Sequence, residues 1–280
     1  MVSSAIMRRT AGLVLVVAVV FAGCSGVLDG GSAGTTGPST ANETTGNERL
    51  APGLTDAGVV NASALVAAHE SILGNQSFTR TTNATARTAN GSVLVDTSSV
   101  VRVGSPGEGL DSVVEQRGSA TSVTTGGVPA HREVWTDGGP VFVNNTYANG
   151  TTRYERLPPD ASGRSGAVSG GVEYALEGYG PANTSVSERR SNGTTRYVVT
   201  SDTADTTTGG EATLRLVVDE RGVIHELRTE TSPAGNASSP LVRTAAFSGV
   251  GTTEVPERPA WVGTAMNRTA SNDTMATTNG

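Results

Sequence analysis

The sequence predicts a mainly β domain of the α+β class, in which one helix precedes a long antiparallel sheet. Residues 61–73 have the clear helical period, with apolar side chains on one stripe. Most of the remaining chain alternates apolar and polar residues in short segments, which is typical of strands. Asn-Gly pairs separate such segments and favour two-residue type I′ hairpin turns, so we expect about eight to eleven strands. The pairs are Asn90-Gly91, Asn149-Gly150 and Asn192-Gly193, and a fourth hairpin is expected within residues 214–227.

Residues 1–23 have the features of a lipoprotein export signal. Arg8 and Arg9 precede an apolar run at residues 11–22, and Cys24 follows it. A basic segment, a short apolar segment and small residues before a cysteine predict cleavage after Gly23 and a lipid on the Cys24 sulfur. An uncleaved anchor is the alternative, but a spanning helix needs about 18 or more apolar residues. The arginine pair leaves both twin-arginine and general secretory export open.

Composition divides the rest of the chain into three parts. Residues 24–53 are rich in Gly, Ser and Thr and are predicted to be a tether with a reach of about 25–30 Å. Residues 54–263 are predicted to form a single β-rich domain. A Gly-rich insertion inside it is expected to hold a second short helix at residues 172–178. Residues 264–280 are predicted to be a flexible polar tail.

The basic residues of this chain are all arginine. The sequence has 20 of them and no lysine against 26 acidic residues, for a net charge of −6. We predict no nucleic-acid partner, because no basic patch is available to neutralise phosphates. Cys24 is the single cysteine, so the domain is predicted to fold on packing alone, without disulfides.

Acceptor motifs for N-glycosylation are far more frequent than chance. Twelve of the 15 asparagines stand in Asn-x-Ser/Thr, although the frequency of Ser and Thr predicts only about three or four. Clustering of Asn, Thr and Gly in turns explains part of the excess. We therefore predict a heavily glycosylated surface protein, with the hairpin tips as favoured sites. The predicted sites are Asn90, Asn149, Asn192, Asn61, Asn75, Asn83, Asn144, Asn183 and Asn236.

Motifs for catalysis and for cofactor binding are nearly absent. Without lysine there is no P-loop or Schiff base, and a lipidated Cys24 leaves no thiol nucleophile. The histidines are His69, His131 and His225, without metal-ligand spacing. We interpret His69 and His225 as core residues on apolar faces. The sequence predicts no cofactor, no metal and no enzymatic activity.

Several segments resemble the uncharacterised lipoproteins of halophilic archaea. They are the export signal, the helix at residues 64–73, the hairpin at residues 217–224 and the closing segment at residues 255–261. More remotely, one N-terminal helix before an antiparallel meander resembles the LolA/LppX lipoprotein-carrier architecture. That resemblance implies a curved half-barrel sheet wrapped on the helix, with an apolar hollow that can hold acyl chains.

Together these features predict a lipid-anchored, N-glycosylated protein at the outer face of the cytoplasmic membrane. Its partners are the membrane, through the lipid on Cys24, and a lipophilic ligand bound in the hollow. The alternative is a structural or adhesive envelope protein with a closed core and no ligand, and an enzyme ranks third. A packed interior would be dense, whereas a carrier would have an apolar cavity. The predicted lining residues are Leu65, Ile72, Phe78, Val141, Val143, Leu214, Leu216 and Leu227.

Overall fold

The structure is a computed structural model that describes residues 48–119, 127–179, 184–191, 193–201, 204–205, 211–232 and 240–277. The predicted export signal, Cys24 and the predicted tether as far as residue 47 lie outside these ranges. So do three predicted glycosylation sites, Asn183, Asn192 and Asn236.

The domain is mainly β, as the sequence predicts. Three short strands form a small sheet: β1 (Arg49–Ala51), β2 (Leu54–Thr55) and β3 (Gly58–Val59). The other strands form one antiparallel sheet. They are β4 (Phe78–Arg87), β5 (Val93–Val103), β6 (Leu110–Arg117), β7 (His131–Thr136), β8 (Val141–Thr146), β9 (Thr152–Leu157), β10 (Thr184–Ser191), β11 (Thr194–Ser201), β12 (Ala204–Asp205), β13 (Glu211–Asp219), β14 (Ile224–Ser232) and β15 (Leu241–Ser248).

The large sheet consists of two meanders that meet at its centre. Strands β4 to β9 follow one another in space, and so do β10, β11, β13, β14 and β15, with β12 beside β13. Pairing of β15 with β4 joins the two meanders, and among the described residues β9 and β10 are the edges. The sheet is not closed, which is compatible with the expected half-barrel.

Helix α1 (Ala62–Gly74) is the predicted N-terminal helix. The Asn61 side-chain oxygen accepts a hydrogen bond from the backbone N–H of Ala64 at 2.9 Å, which caps the first turn. The helix buries Leu65, His69 and Leu73 on one face. It precedes the strands of the large sheet in the chain and packs its apolar face on them.

Two of the Asn-Gly hairpins have longer loops than predicted. The N–H of Gly91 donates to the carbonyl of Thr88 at 2.9 Å, and Gly91 has a φ of 86°. The Gly150 loop has the same pattern, with a 2.9 Å bond to Tyr147 and a φ of 80°. These are three-residue loops in which a left-handed glycine follows a turn, so the type I′ prediction was wrong there. Between β10 and β11, by contrast, Ser191 pairs with Thr194 across two residues.

The Gly-rich insertion is more helical than predicted. A 3₁₀ turn (Pro159–Ser162) leads into α2 (Arg164–Ser169), and α3 (Val172–Tyr179) corresponds to the expected second helix. Helices α2 and α3 both contact α1, and they lie against β5 and β13 respectively. The insertion is therefore part of the cover that α1 forms on one face of the sheet.

Both predicted boundaries of the domain need correction. Residues assigned to the tether contribute β1, in which Ala51 is buried. Residues assigned to a polar tail belong to helix α4 (Trp261–Thr277), which contacts β8 and β9. Val262 and Ala265 are fully buried there, because the small apolar side chains of this polar helix fall on one stripe.

Helices cover the sheet on both faces. In β7, Val134 packs against the cluster beneath α1, whereas its neighbour Trp135 packs with Val262 and Ala265 of α4. Successive side chains of a strand point to opposite faces, so α4 lies on the other side of the sheet from α1. No helix in the described ranges is long and apolar enough to cross a membrane.

Candidate functional site

The candidate site is the sheet face beneath α1, α2 and α3, here called the inner face. Phe78, Val101, Leu216 and Phe247 point into it from β4, β5, β13 and β15 and belong to one buried cluster with Leu65 of α1. Their positions follow from alternation along each strand, which places every second residue on this face. The helices thus bury a continuous apolar surface built mainly by the two central strands and the second meander.

The structure places all eight predicted lining residues in the interior. Six of them meet between α1 and the sheet: five are fully or nearly buried in the cluster, and Ile72 is partly buried against it. Val141 and Val143 are also buried and face inward on β8, since Val143 pairs with Val134, but they lie outside this cluster. The five cluster members are Leu65, Phe78, Leu214, Leu216 and Leu227.

Two arginines hold the helical cover to the sheet through backbone carbonyls. Arg80 of β4 donates to the carbonyls of Gly166 and Ala167 in α2 at 2.7 and 3.2 Å. Arg164 of α2 donates to the carbonyl of Gly104, after β5, at 2.7 Å. Burial lowers the pKa of the Arg80 guanidinium from its ordinary value. These bonds fix the cover at α2, while α3 adds apolar contact.

His69 of α1 is a buried histidine that ties the helix to the sheet. Its Nδ1 accepts a hydrogen bond from the backbone N–H of Ile224 at 3.1 Å, and its ring meets that of Phe247 edge to face at 4.8 Å. Burial lowers the His69 pKa from 6.5 to about 4, so the imidazole is neutral at pH 7. The interpretation of His69 as a core residue is confirmed.

A β-bulge changes the predicted orientation of His225. In the pairing of β13 with β14, Val217 is opposite Glu226 and Val218 is opposite Ile224. His225 is therefore an extra residue in β14 with no partner in the ladder, which is a β-bulge. His225 consequently leaves the face of Leu227, and its Nε2 lies 3.2 Å from Oδ2 of Asp219. The interpretation of His225 as a residue on that apolar face was therefore wrong.

Asp219 is the polar centre of the β13–β14 hairpin. Its Oδ1 accepts the backbone N–H groups of Arg221 and Val223, both at 3.0 Å, and its Oδ2 accepts the Arg221 guanidinium at 2.9 Å. Although burial alone would raise it, these bonds and His225 lower the pKa of Asp219 to about 2. The carboxylate is saturated with donors, which suits a structural role better than proton transfer.

An open cavity lies at the β9 edge of the sheet, away from the apolar cluster. It has a volume of about 520 Å³. Polar and apolar groups of β9, the proline-rich segment after it and α4 line it together, including Tyr154, Leu157, Pro158 and Thr269. The rings of Tyr154 and Trp261 are stacked, with 6.4 Å between their centroids. The mixed polar and apolar lining of this cavity differs from the apolar hollow that the sequence predicts.

Most of the described glycosylation sites are on the surface. Asn144 is the exception: it is 8% exposed, and its amide nitrogen donates to Glu133 at 2.8 Å, so the folded domain has no room for a glycan there. The prediction for Asn144 is corrected because β8 is covered on both faces. The exposed sites are Asn61, Asn75, Asn83, Asn90 and Asn149.

Sequence reasoning missed the polar residues of the inner face. Arg80 occupies an inward position two residues after Phe78, so alternation in β4 could have found it. Arg164 had no such signal, because its partners lie in loops distant in sequence. No group of three or more His, Cys, Asp or Glu suited to a metal occurs within the described ranges.

Comparison with known proteins gives no family for this chain. No family model matches it, and no curated protein matches it. Among solved structures it is similar to a DUF1329 family protein from Desulfovibrio piger ATCC 29098, with 10% identity over 71% of this chain and 95% of that chain. The TM-score is 0.25, so this is a distant structural neighbour and carries no argument about function.

Proposed function

We propose that this protein is lipid-anchored and N-glycosylated at the outer face of the cytoplasmic membrane, and that its β domain binds a lipophilic ligand. The export signal that ends at Cys24 and the excess of acceptor motifs support the location. The resemblance to lipoproteins of halophilic archaea, and remotely to the LolA/LppX carriers, supports the same proposal.

The observation that carries the binding function is the nature of the cover on the inner face. Three helices of 13, 6 and 8 residues, together with the small sheet of β1, β2 and β3, bury its apolar side chains. Helices α2 and α3 are separated by Gly170 and Gly171, which both have positive φ. A short helical cover can be displaced without breaking the ladder of the sheet, and an acyl chain would then replace its contacts.

A closed structural core is the second candidate, and a specific observation favours it. Leu65, Phe78 and Leu216 are fully buried in one packed cluster, and the roughly 520 Å³ cavity lies elsewhere. In this alternative the helices are permanent parts of the core. The protein would then serve as a structural or adhesive component of the envelope.

Native mass spectrometry of the full chain with Cys24→Ser, purified without detergent, separates the two functions. Without its anchor the protein stays in solution, and any bound lipid adds a discrete mass. A binding module retains a co-purified lipid or takes up an added one. A chain that has the bare polypeptide mass plus glycans, and that binds no added lipid, would contradict the binding function and favour the closed core.

A further inference from the structure

One row of paired residues crosses the inner face and changes character midway. In β11, β13 and β14 the row consists of Val199, Leu216 and Leu227, which are directly opposite one another in the ladder. At the other end, in β7, β8 and β9, the same row consists of Arg132, Asn145 and Arg153. This row is therefore apolar beneath the helices and polar towards β9, whereas Val143 and Val141 keep the next inward positions of β8 apolar.

Arginines outnumber carboxylates on the described part of this face, to which β10 adds one ion pair between Arg190 and Glu188. Strands β4 to β9 and β13 to β15 place four arginines on it and one carboxylate, Glu155. The other acidic residues of these strands occupy positions that point to the outer face. The whole chain, by contrast, has a net charge of −6. Such segregation creates a positive surface in an acidic protein. The four arginines are Arg80, Arg132, Arg153 and Arg243.

Asn145 supplies an independent sign of a ligand. It is only 3% exposed, and its Nδ2 donates to Glu155 at 2.9 Å, which leaves Glu155 engaged. Its Oδ1 is buried without a hydrogen-bond partner in the described part of the chain. A buried acceptor left unpaired costs free energy, so a donor from a ligand would stabilise it. Arg132 and Arg153 flank it on the neighbouring strands, about 10 Å from each other.

We infer that the polar part of the inner face binds the anionic, hydroxyl-bearing headgroup of an amphiphile, namely a phosphate ester of glycerol. Guanidinium groups form charge-assisted hydrogen bonds with phosphate oxygens, and a ligand hydroxyl would donate to Oδ1 of Asn145. The acyl chains would extend along the row towards Leu216 and Leu227. This inference rests on the proposed function and specifies the class of its ligand.

The test uses the full chain with Cys24→Ser and dihexanoyl phosphatidylglycerol as the probe, at one fixed ionic strength. Dihexanoyl phosphatidylcholine has the same chains without the net negative charge, and glycerol phosphate has the anion without the chains. Arg153→Gln is the test variant, because Arg153 is exposed and its replacement leaves the core intact. Arg156→Gln is the matched control, since Arg156 is exposed on the same strand and faces the opposite way.

We expect phosphatidylglycerol to bind more tightly than phosphatidylcholine, and Arg153→Gln to weaken its binding about threefold to tenfold while Arg156→Gln does not. Equal binding of the two lipids, unaffected by Arg153→Gln, would overturn the headgroup inference and leave the proposed function standing. Binding of neither lipid would overturn both. Binding of glycerol phosphate as tightly as the lipid would overturn the assignment to an amphiphile and indicate a site for free phosphate esters.

Discussion

The imidazole Nδ1 of His69 accepts the backbone N–H of Ile224 at 3.1 Å, and this bond joins helix α1 to the β13–β14 hairpin. The bulge in β14 leaves that N–H outside the regular ladder, and a buried N–H needs an acceptor. One side chain on α1 thus supplies the acceptor for an N–H group that lies about 150 residues further along the chain. The helix and the hairpin fix each other's position.

Replacing His69 by Leu is expected to lower the free energy of unfolding by about 1–3 kcal/mol at pH 7, because the Ile224 N–H becomes unpaired. Leucine keeps apolar contact with Phe247 but offers no acceptor. Denaturant unfolding gives the free energy, and amide hydrogen exchange of Ile224 gives the local effect. His69→Asn, which restores an acceptor oxygen, is the control. Unchanged protection of the Ile224 amide in the Leu variant would contradict this account.

Stability is expected to fall in two steps as the pH is lowered. His69 has a folded pKa of about 4 against an ordinary 6.5, so its neutral form stabilises the fold above pH 6.5 and that contribution is lost between pH 6.5 and 4. Asp219 has a folded pKa of about 2 against 3.8, so its contribution is lost only below pH 3.8. Melting temperatures across this range, with and without His69→Leu, would separate the steps. Persistence of the upper step in that variant would disprove its assignment.

Leu216→Ala is expected to cost about 2–5 kcal/mol if the core is permanently closed, because Leu216 is fully buried in the apolar cluster. In a ligand-binding interior the loss would be smaller, and lipid retention would fall instead. Thr213→Ala, on the exposed face of the same strand, is the control and should change stability by no more than about 0.5 kcal/mol. Unfolding free energy and bound lipid are measured together. A severe loss of stability with no lipid in either protein would defeat the carrier proposal.

Glycans are expected on Asn90 and Asn149, because both are exposed at hairpin tips, and not on Asn144. Mass spectrometry of proteolytic peptides from the native protein would give the occupancy of each site. Bare peptides at both hairpin tips would contradict the proposal of a glycosylated surface. A glycan on Asn144 would mean that transfer occurs before β8 is covered.

Cys24→Ser is expected to release the protein from membranes, because the lipid thioether requires sulfur. Within the described ranges, no helix is long and apolar enough to cross a bilayer. Cell fractionation with immunodetection of the mature chain measures the effect. Retention of the variant in the membrane fraction, resistant to high salt, would support the uncleaved anchor instead.

Sequence patterns predicted the elements that local chemistry determines. Helix α1 followed from its apolar period, and the antiparallel sheet followed from alternation and turns. Helix α4 was missed because Val262, Ala265 and Thr269 form a stripe of small side chains within a polar composition. The turn from Asp219 and the orientation of His225 depend on a bulge, which alternation alone does not reveal.

Features that depend on distant partners could not be predicted from the sequence. The inward positions of Arg132, Asn145 and Arg153 became visible only when the register of three strands was known. A shift of one residue in any pairing would have moved a charge to the other face. The contact of Arg164 with the Gly104 carbonyl likewise needs the position of the insertion on the sheet.

The pairing of β15 with β4 has a consequence for how the chain folds. The last strand of the sheet meets the first, at separations of more than 150 residues, whereas each meander consists of sequential neighbours. Contacts that close long loops form slowly, because the entropy of closure must be overcome first. We expect the hairpins of each meander to form early. The pairing of β15 with β4, which joins the two meanders, is expected to form last.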